Sequence, residues 1–356
     1  DDCGKTWSAP QDIAESIYSQ FDNSNYGPVR SMFVASGRIF QSRTVKVNDY
    51  YRLYAAVLVR DRSATHMNYV IYSDDFGQTW QLLGNVNTPA VYSTADEPKV
   101  EEMPDGRILL SSRYNNGRYY NMFTFTDVAS GTGVWDDAVF SGAANSGVAA
   151  KENSTNGEVM VIPVTRVEDG EPMHLLLQSL PLGPDRKNVG IYYKELASSN
   201  DYNTPANFAK DWDGRHQASF LASAYSTMCF QKDSTIAFLY EESTHGADYT
   251  IVYKNYTLEQ ITDGAYSISN HTTAPEPEPE PEPEVPEESA LVLALTAEQI
   301  GTTYPYQLND EDAAKIFALS DITVAVKFNT ASLSGRKALF ATSDPTKTAN
   351  TNAMGT

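Results

Sequence analysis

Residues 73–80 read SDDFGQTW, and residues 1–7 read DDCGKTW. Asp2, Gly4, Thr6 and Trp7 match Asp75, Gly77, Thr79 and Trp80 position for position, and Ser73 falls where the first copy has not yet begun. The spacing is turn chemistry. An Asp side chain accepts hydrogen bonds from backbone N–H groups just ahead of it, and a Gly two residues on supplies a conformation with positive φ. The Thr-Trp pair then opens a strand, with a large indole face to bury and an N–H that needs an acceptor. Strand-like residues lead into the second copy (NYVIYSDDFGQTW), so the motif predicts a β-hairpin turn pinned by a buried Trp. A repeated hairpin turn points to a repeat architecture, a propeller foremost. TFTDVASGTGVW keeps Asp127 and Trp135 at stretched spacing, and we read this third copy as coincidence.

Working outward, the chain holds 356 residues, 22 of them Tyr and 14 Phe, with few long amphipathic patterns, which favours β structure. RLYAAVLV, MNYVIYS, RILLSSRY, VMVIPV, MHLLLQSL, VGIYYKEL, TIAFLYEE and YTIVYKNY read as strands separated by Gly, Asn, Asp and Ser turns up to about residue 271. Residues 272–289 break this pattern. Pro at alternate positions with repelling Glu between makes a semi-rigid spacer. Beyond it, DITVAVKFNT and KALFATSD in residues 290–356 suggest the first strands of a β-sandwich. Both ends are expected to be cut: the sequence opens inside a repeat motif and stops at NTNAMGT, too early to close a sandwich.

The net charge of −20 and the lack of a basic patch speak against nucleic acid as a partner. No stretch is long enough to span a membrane, and no signal peptide is present in these residues. Of the two cysteines, Cys3 and Cys229, the second lies in the strand-like STMCF and is expected to be a buried free thiol. The five histidines show no metal-ligand spacing, so no metal is expected, and no cofactor. Asp211 and Asp213 in KDWDGRH read as a turn.

Four stretches could carry chemistry. In DEPKVEEMPDGRILLSSR, Glu97 and Arg113 stand sixteen residues apart across an expected hairpin; Arg186 follows a Gly-Pro turn in SLPLGPDR; Tyr225 lies among small residues in SAYS; Glu241 ends FLYEE. Singly, each has an ordinary reading as a packed or solvated strand residue. Taken together and in this order, with the SxDxGxTW turns, they resemble the bacterial-type sialidases over residues 1 to about 260. The resemblance implies an all-β fold, a six-bladed β-propeller incomplete at its N-terminus (residues 1–271), with the SxDxGxTW turns as its Asp boxes: Asp2, Gly4 and Trp7 in one, Ser73, Asp75, Gly77, Thr79 and Trp80 in the other. It implies exo-α-sialidase activity on sialylated glycoproteins, glycolipids or oligosaccharides, and a secreted or cell-surface location. Tyr225 is then the nucleophile, Glu97 its base, Arg113 and Arg186 two of three arginines that hold the sialic acid carboxylate, and Glu241 the carboxylate supporting the third arginine. Residues 290–356 resemble the start of a lectin-like carbohydrate-binding module.

The chemistry agrees with these roles. Guanidinium forks match a carboxylate in shape and charge. An anionic nucleophile would be repelled by the substrate carboxylate, whereas a neutral Tyr hydroxyl is not, provided a base takes its proton. Sialidases with a Tyr nucleophile depart from the two-carboxylate scheme of most glycosidases, and retention through a sialyl-tyrosine is the implied outcome. In the family the first arginine and an acid/base aspartate precede the first Asp box, so these 356 residues are expected to show weak activity or none. Two alternatives stay open: a trans-sialidase, which uses the same residues, and a non-catalytic propeller that binds sialoglycans.

Overall fold

A computed structural model describes residues 5–7, 9–34 and 38–269. The linker 272–289, the lectin-like stretch 290–356, Cys3, and Asp2 and Gly4 of the first Asp box all lie outside the described residues. After two short helical turns, Ala14–Tyr18 and Ser19–Phe21, the chain runs almost entirely in antiparallel strands that form four sheets.

In the first sheet, β1 (Ser31–Val34) and β2 (Phe40–Val47) both pair with β3 (Tyr50–Arg60); β3 pairs with β4 (His66–Ser73), which pairs with the short β5 (Gln81–Leu82) and β6 (Val91–Tyr92). The second sheet is a meander of β7 (Asp96–Glu102), β8 (Ile108–Tyr114) and β9 (Gly117–Asp127), edged by β10 (Thr132–Trp135) and β11 (Val139–Gly142). The third contains β12 (Val159–Arg166), β13 (Pro172–Pro181), β14 (Val189–Leu196) and β15 (Gly214–Gln217). The fourth contains β16 (Ser223–Phe230), β17 (Ile236–Thr244) and β18 (Ala247–Tyr256), and the chain then returns as β19 (Tyr266–Ile268) to pair with β12.

The sheets stack as propeller blades, with an apolar core between each pair of neighbours. Val70, Val100, Ile108, Leu110 and Phe123 fill the first gap. Leu109, Tyr120, Val161, Leu176 and Phe208 fill the second, and Ile162, Leu175, Leu177, Ile191, Met228 and Phe238 the third. Consecutive residues point to opposite faces of a strand. Leu109 therefore enters one core while Ile108 and Leu110 enter another, and Leu176 separates from Leu175 and Leu177 in the same way. Strands buried on both faces read as continuous apolar runs, which is why RILL, VMVI and HLLL show no alternation in the sequence. Four blades lie within the described residues.

SDDFGQTW is the turn from β4 to β5. Asp75 accepts from the Thr79 N–H at 2.9 Å, the Thr79 hydroxyl at 2.6 Å and the Ser73 hydroxyl at 2.8 Å; Ser73 Oγ in turn accepts from the Gly77 N–H at 2.8 Å. Desolvation, the largest single influence, pushes Asp75 up, but these bonds together outweigh it and hold the carboxyl below the usual carboxylate range. Gly77 takes φ +88°, and Trp80, buried, donates its indole N–H to the Gly77 carbonyl at 3.1 Å. Trp7 differs: the repeat predicts a buried pin, but this side chain is 87% exposed. The third copy also differs from its reading as coincidence. Asp127 accepts from the Ala129 N–H and the Ser130 hydroxyl in the turn from β9 to β10, the equivalent turn of the second sheet, and Trp135 packs on Phe123. Arg52, fully buried, ties the two turns together. It pairs with both oxygens of Asp74 at 2.6 and 2.7 Å, donates to the Val128 and Ala129 carbonyls, and lies over the Tyr72 ring.

Cys229 is free, as expected, but exposed rather than buried. Tyr225, Thr227 and Cys229 alternate with the buried Ala224, Ser226 and Met228 along β16, so the thiol lies on the face turned away from the third core. Leu239, Ile251 and Tyr253 are also exposed on this last sheet. Among the described residues no helix is long and apolar enough to cross a membrane, and no group of three His, Cys, Asp or Glu side chains is placed to hold a metal.

Candidate active site

Strands from all four sheets meet around one axis. Arg38, just before β2, donates to the Glu101 carboxylate of β7 and to the Val159 carbonyl of β12 at 3.1 Å. Arg43 of β2 reaches Glu101 at 2.9 Å and the Glu102 carbonyl. Thr227 of β16 donates to Glu158, just before β12, at 2.9 Å. The face of β7 turned to this axis carries Glu97, Lys99 and Glu101 in succession, since alternate residues share a face.

At one end of the axis, local irregularities aim two side chains at each other. The β7–β8 ladder shifts register between Asp96 and Pro98, which places Glu97 in a bulge opposite Arg113. The β16–β17 ladder shifts between Ser223 and Ser226, which places Tyr225 in a second bulge. A bulge leaves a residue outside the ladder and re-aims its side chain. The displaced Tyr225 N–H then needs another acceptor, and Glu241 Oε2 supplies it at 3.0 Å. Glu241, expected to support a third arginine, thus meets the backbone of Tyr225 instead among the described residues.

The three remaining groups form a closed triangle. The Tyr225 hydroxyl donates to Glu97 Oε1 at 2.7 Å. Arg113 Nη1 donates to Glu97 Oε2 at 2.6 Å and to the Tyr225 oxygen at 2.9 Å. Arg113 Nε donates to Ser154 Oγ at 2.9 Å, and Arg186, exposed in the turn before β14, reaches the Ser154 carbonyl at 3.5 Å. Both predicted arginines therefore converge on Ser154. Burial, followed by the bond to the Glu97 carboxylate, pushes the Tyr225 phenol up, and Arg113 offsets this only in part. Burial works against the Arg113 cation, but Glu97 outweighs it and raises the guanidinium. The phenol is therefore held neutral with its proton directed at a carboxylate, an arrangement suited to proton transfer between the two. Beside Tyr225 lies a cavity of about 130 Å³ whose walls include Asn156, Thr227, Glu241 and Ile251.

The structure brings Glu97, Arg113, Tyr225 and Glu241 together and sets Arg186 at the rim. Four neighbours escaped the sequence reading: Ser154, Glu158, Lys99 and Arg118. Arg118 is fully buried and bonds Ser111 Oγ at 2.6 Å, with further bonds to the Ser111 and Thr155 carbonyls. The alternation of charge in DEPKVEE was a usable signal, because three charges on one face of a buried strand need counterions.

No protein-family model matches the sequence, and a search of curated proteins found no match. Solved structures do match. A Hadza microbial sialidase superposes with a TM-score of 0.53 at 22% identity, over 73% of this chain and 43% of that one. A leech intramolecular trans-sialidase gives 0.54 at 19% identity, over 74% and 36%. The intramolecular trans-sialidase of Ruminococcus gnavus gives 0.50 at 21% identity, over 73% and 49%. The chain spans less than half the length of each of these proteins. What it shares with these structures is the fold.

Proposed function

We propose that the chain carries a sialidase-type active site that releases terminal sialic acid from glycoproteins, glycolipids or oligosaccharides, with Tyr225 as nucleophile. The observation that carries this reading is the Tyr225–Glu97–Arg113 triangle, in which one carboxylate accepts the phenol proton and pairs with the arginine. Attack forms a bond from the Tyr225 oxygen to the anomeric carbon, the phenol proton passes to Glu97, and the bond to the leaving oxygen breaks with its electron pair going to that oxygen, which takes a proton from solvent. Water then attacks the same carbon and gives up a proton to solvent, the bond to Tyr225 breaks, Glu97 returns its proton to the phenolate, and the sugar leaves with retention. Arg113 and Arg186 hold the sugar carboxylate, and Glu241 keeps Tyr225 in register.

A six-bladed propeller, a lectin-like module tethered by the Glu-Pro linker, and a secreted or cell-surface setting belong to the same reading. Two of the structural neighbours are intramolecular trans-sialidases, one holding 2,7-anhydro-Neu5Ac. That favours a trans-sialidase as the second reading, and the products from 3′-sialyllactose separate the two: free sialic acid for hydrolysis, an anhydro or transferred sugar for the alternative.

The test is incubation with 2,3-difluorosialic acid followed by peptide mass analysis. Fluoride leaves without needing a proton, so the probe reports on the nucleophile and its base without the acid that a sugar leaving group requires. An adduct on Tyr225 that Tyr225→Phe abolishes is expected. Binding without an adduct would shift the reading to a glycan-binding propeller.

A further inference from the structure

Below the triangle sits a lysine that the proposed chemistry does not use. Lys99 follows Glu97 on the same face of β7, is 3% exposed, and its Nζ has no hydrogen-bond partner among the described residues. It lies opposite Ser111 of β8, two residues from Arg113 and bonded to Arg118. Four charged groups act on it: Glu97 from its own strand, Arg118 from β9, Arg38 from ahead of β2 and Glu158 from ahead of β12. The two anions among them are already paired, Glu97 with Arg113 and Glu158 with Arg38, so neither is left over for the Lys99 ammonium. Farther down the strand, Glu101 is taken up by Arg38 and Arg43. A buried amine in this position, neither paired nor hydrogen-bonded, is costly as a cation.

We infer that Lys99 is a positioning residue of the anion site: a carboxylate held at Arg113 and a proton on Lys99 favour each other. This rests on the sialidase reading, which supplies the anion. The ligand carboxylate provides the charge that the buried cluster lacks, and by reciprocity the proton on Lys99 strengthens the hold on the ligand. Strand spacing puts the two positions on the order of 8–10 Å apart, where one charge alters the affinity for another by about tenfold at an intermediate dielectric. Geometry and titration agree. Burial, then the two arginines, bring the amine down to about 8 against the pull of Glu158 and Glu97.

The test uses the full chain and the carboxylate-bearing analogue 2-deoxy-2,3-didehydro-N-acetylneuraminic acid. The Lys99 amine is followed by ¹³Cε chemical shift against pH, assigned with Lys99→Met, or with Lys99→Gln if the first variant does not fold. Without ligand, a midpoint near 8 is expected; saturating analogue moves it up by about one pH unit. In parallel, Lys99→Met binds the analogue about tenfold more weakly than wild type near pH 7, and the gap closes above pH 9. Lys99→Arg, which keeps its charge, loses this pH dependence. An ordinary lysine midpoint in the free protein overturns the inference and leaves the sialidase reading standing. So does a low midpoint that bound analogue does not move, or a Lys99→Met deficit that persists unchanged at high pH. No binding of the analogue to wild type or variant overturns the sialidase reading itself and the linkage with it.

Discussion

Replacing Glu97 by Gln separates its proposed role as base from its part in the scaffold. The substitution keeps the shape and leaves an amide oxygen to accept from the Tyr225 hydroxyl, now 2.7 Å from Glu97 Oε1, but an amide cannot take the proton. Loss of a positioned base costs about 10²–10⁴ in rate, or roughly 3–5 kcal/mol of barrier. A stability cost accompanies it, because Arg113 loses a carboxylate at 2.6 Å with the two side chains 14% and 11% exposed. Arg113 keeps Ser154 and the Tyr225 oxygen, so this cost is about 1–3 kcal/mol, and the fold survives. The assay is the rate of Tyr225 labelling by 2,3-difluorosialic acid, with thermal unfolding run alongside. A second reading comes from the phenol itself. Without the carboxylate, the Tyr225 titration seen by ultraviolet absorbance moves down toward the ordinary tyrosine range, since the bond to Glu97 is one of the influences raising it. Wild-type labelling rates in Glu97→Gln, with Tyr225→Phe inert, would refute the assignment of Glu97 as base while preserving Tyr225 as nucleophile.

Other consequences reach the scaffold. Arg52→Met strands Asp74 and frees the Val128 and Ala129 carbonyls that tie the first two sheets, and it is expected to lower stability by about 3 kcal/mol by denaturant titration. Asp75→Ala removes three accepted hydrogen bonds from the β4–β5 turn and costs about 2 kcal/mol; labelling of Tyr225 in the surviving folded protein is unchanged, because this turn contributes no group to the site. Lys99→Met is expected to raise stability at pH 7 by about 2–3 kcal/mol, since the amine sits near 8 when folded and near its ordinary value when unfolded. Below pH 8 both states hold the proton and the cost is full; between about 8 and 10 the unfolded chain binds more protons, wild type gains stability, and the two melting temperatures converge.

The site was legible in the sequence because its members keep fixed separations along strands. Glu97 and Arg113 are joined by one hairpin, and Tyr225 and Glu241 by another, so pattern and contact coincide. The two bulges that aim Glu97 and Tyr225 leave no mark on composition, and the structure alone explains why Glu241 meets the Tyr225 backbone. Ser154 was invisible because its role depends on two arginines from other sheets converging on one loop. Trp7 and Cys229 show the limit of local reading. A Trp after a turn is buried only where a neighbouring sheet covers it, and alternation in SAYSTMCF says that faces differ without saying which one is covered. The third turn motif erred in the other direction: its spacing was stretched, but position in the blade is set by strand order, and β9–β10 occupies the place of β4–β5.

The buried charges explain how one fold can separate stability from chemistry. Apolar cores between the sheets and the Arg52 latch at the outer turns are independent of the axis, so the axis is free to carry groups that cost stability. Arg38, Arg43 and Arg118 each have a carboxylate or carbonyl acceptor close by, and Glu101, Glu102 and Glu158 each have a donor. Lys99 alone among these charged groups has no hydrogen-bond partner. In a balanced network the buried cations are already committed to partners, so an anionic ligand would gain little from them beyond its contacts with Arg113 and Arg186. One unsatisfied cation beneath Arg113 changes that: the protein carries the cost of the surplus charge when the site is empty and recovers it when an anion arrives. The stability gained by Lys99→Met and the affinity lost by it should therefore both begin to fade as the amine of the free folded protein loses its proton near pH 8, and a variant that gained the first without losing the second would show that the amine is a structural residue only.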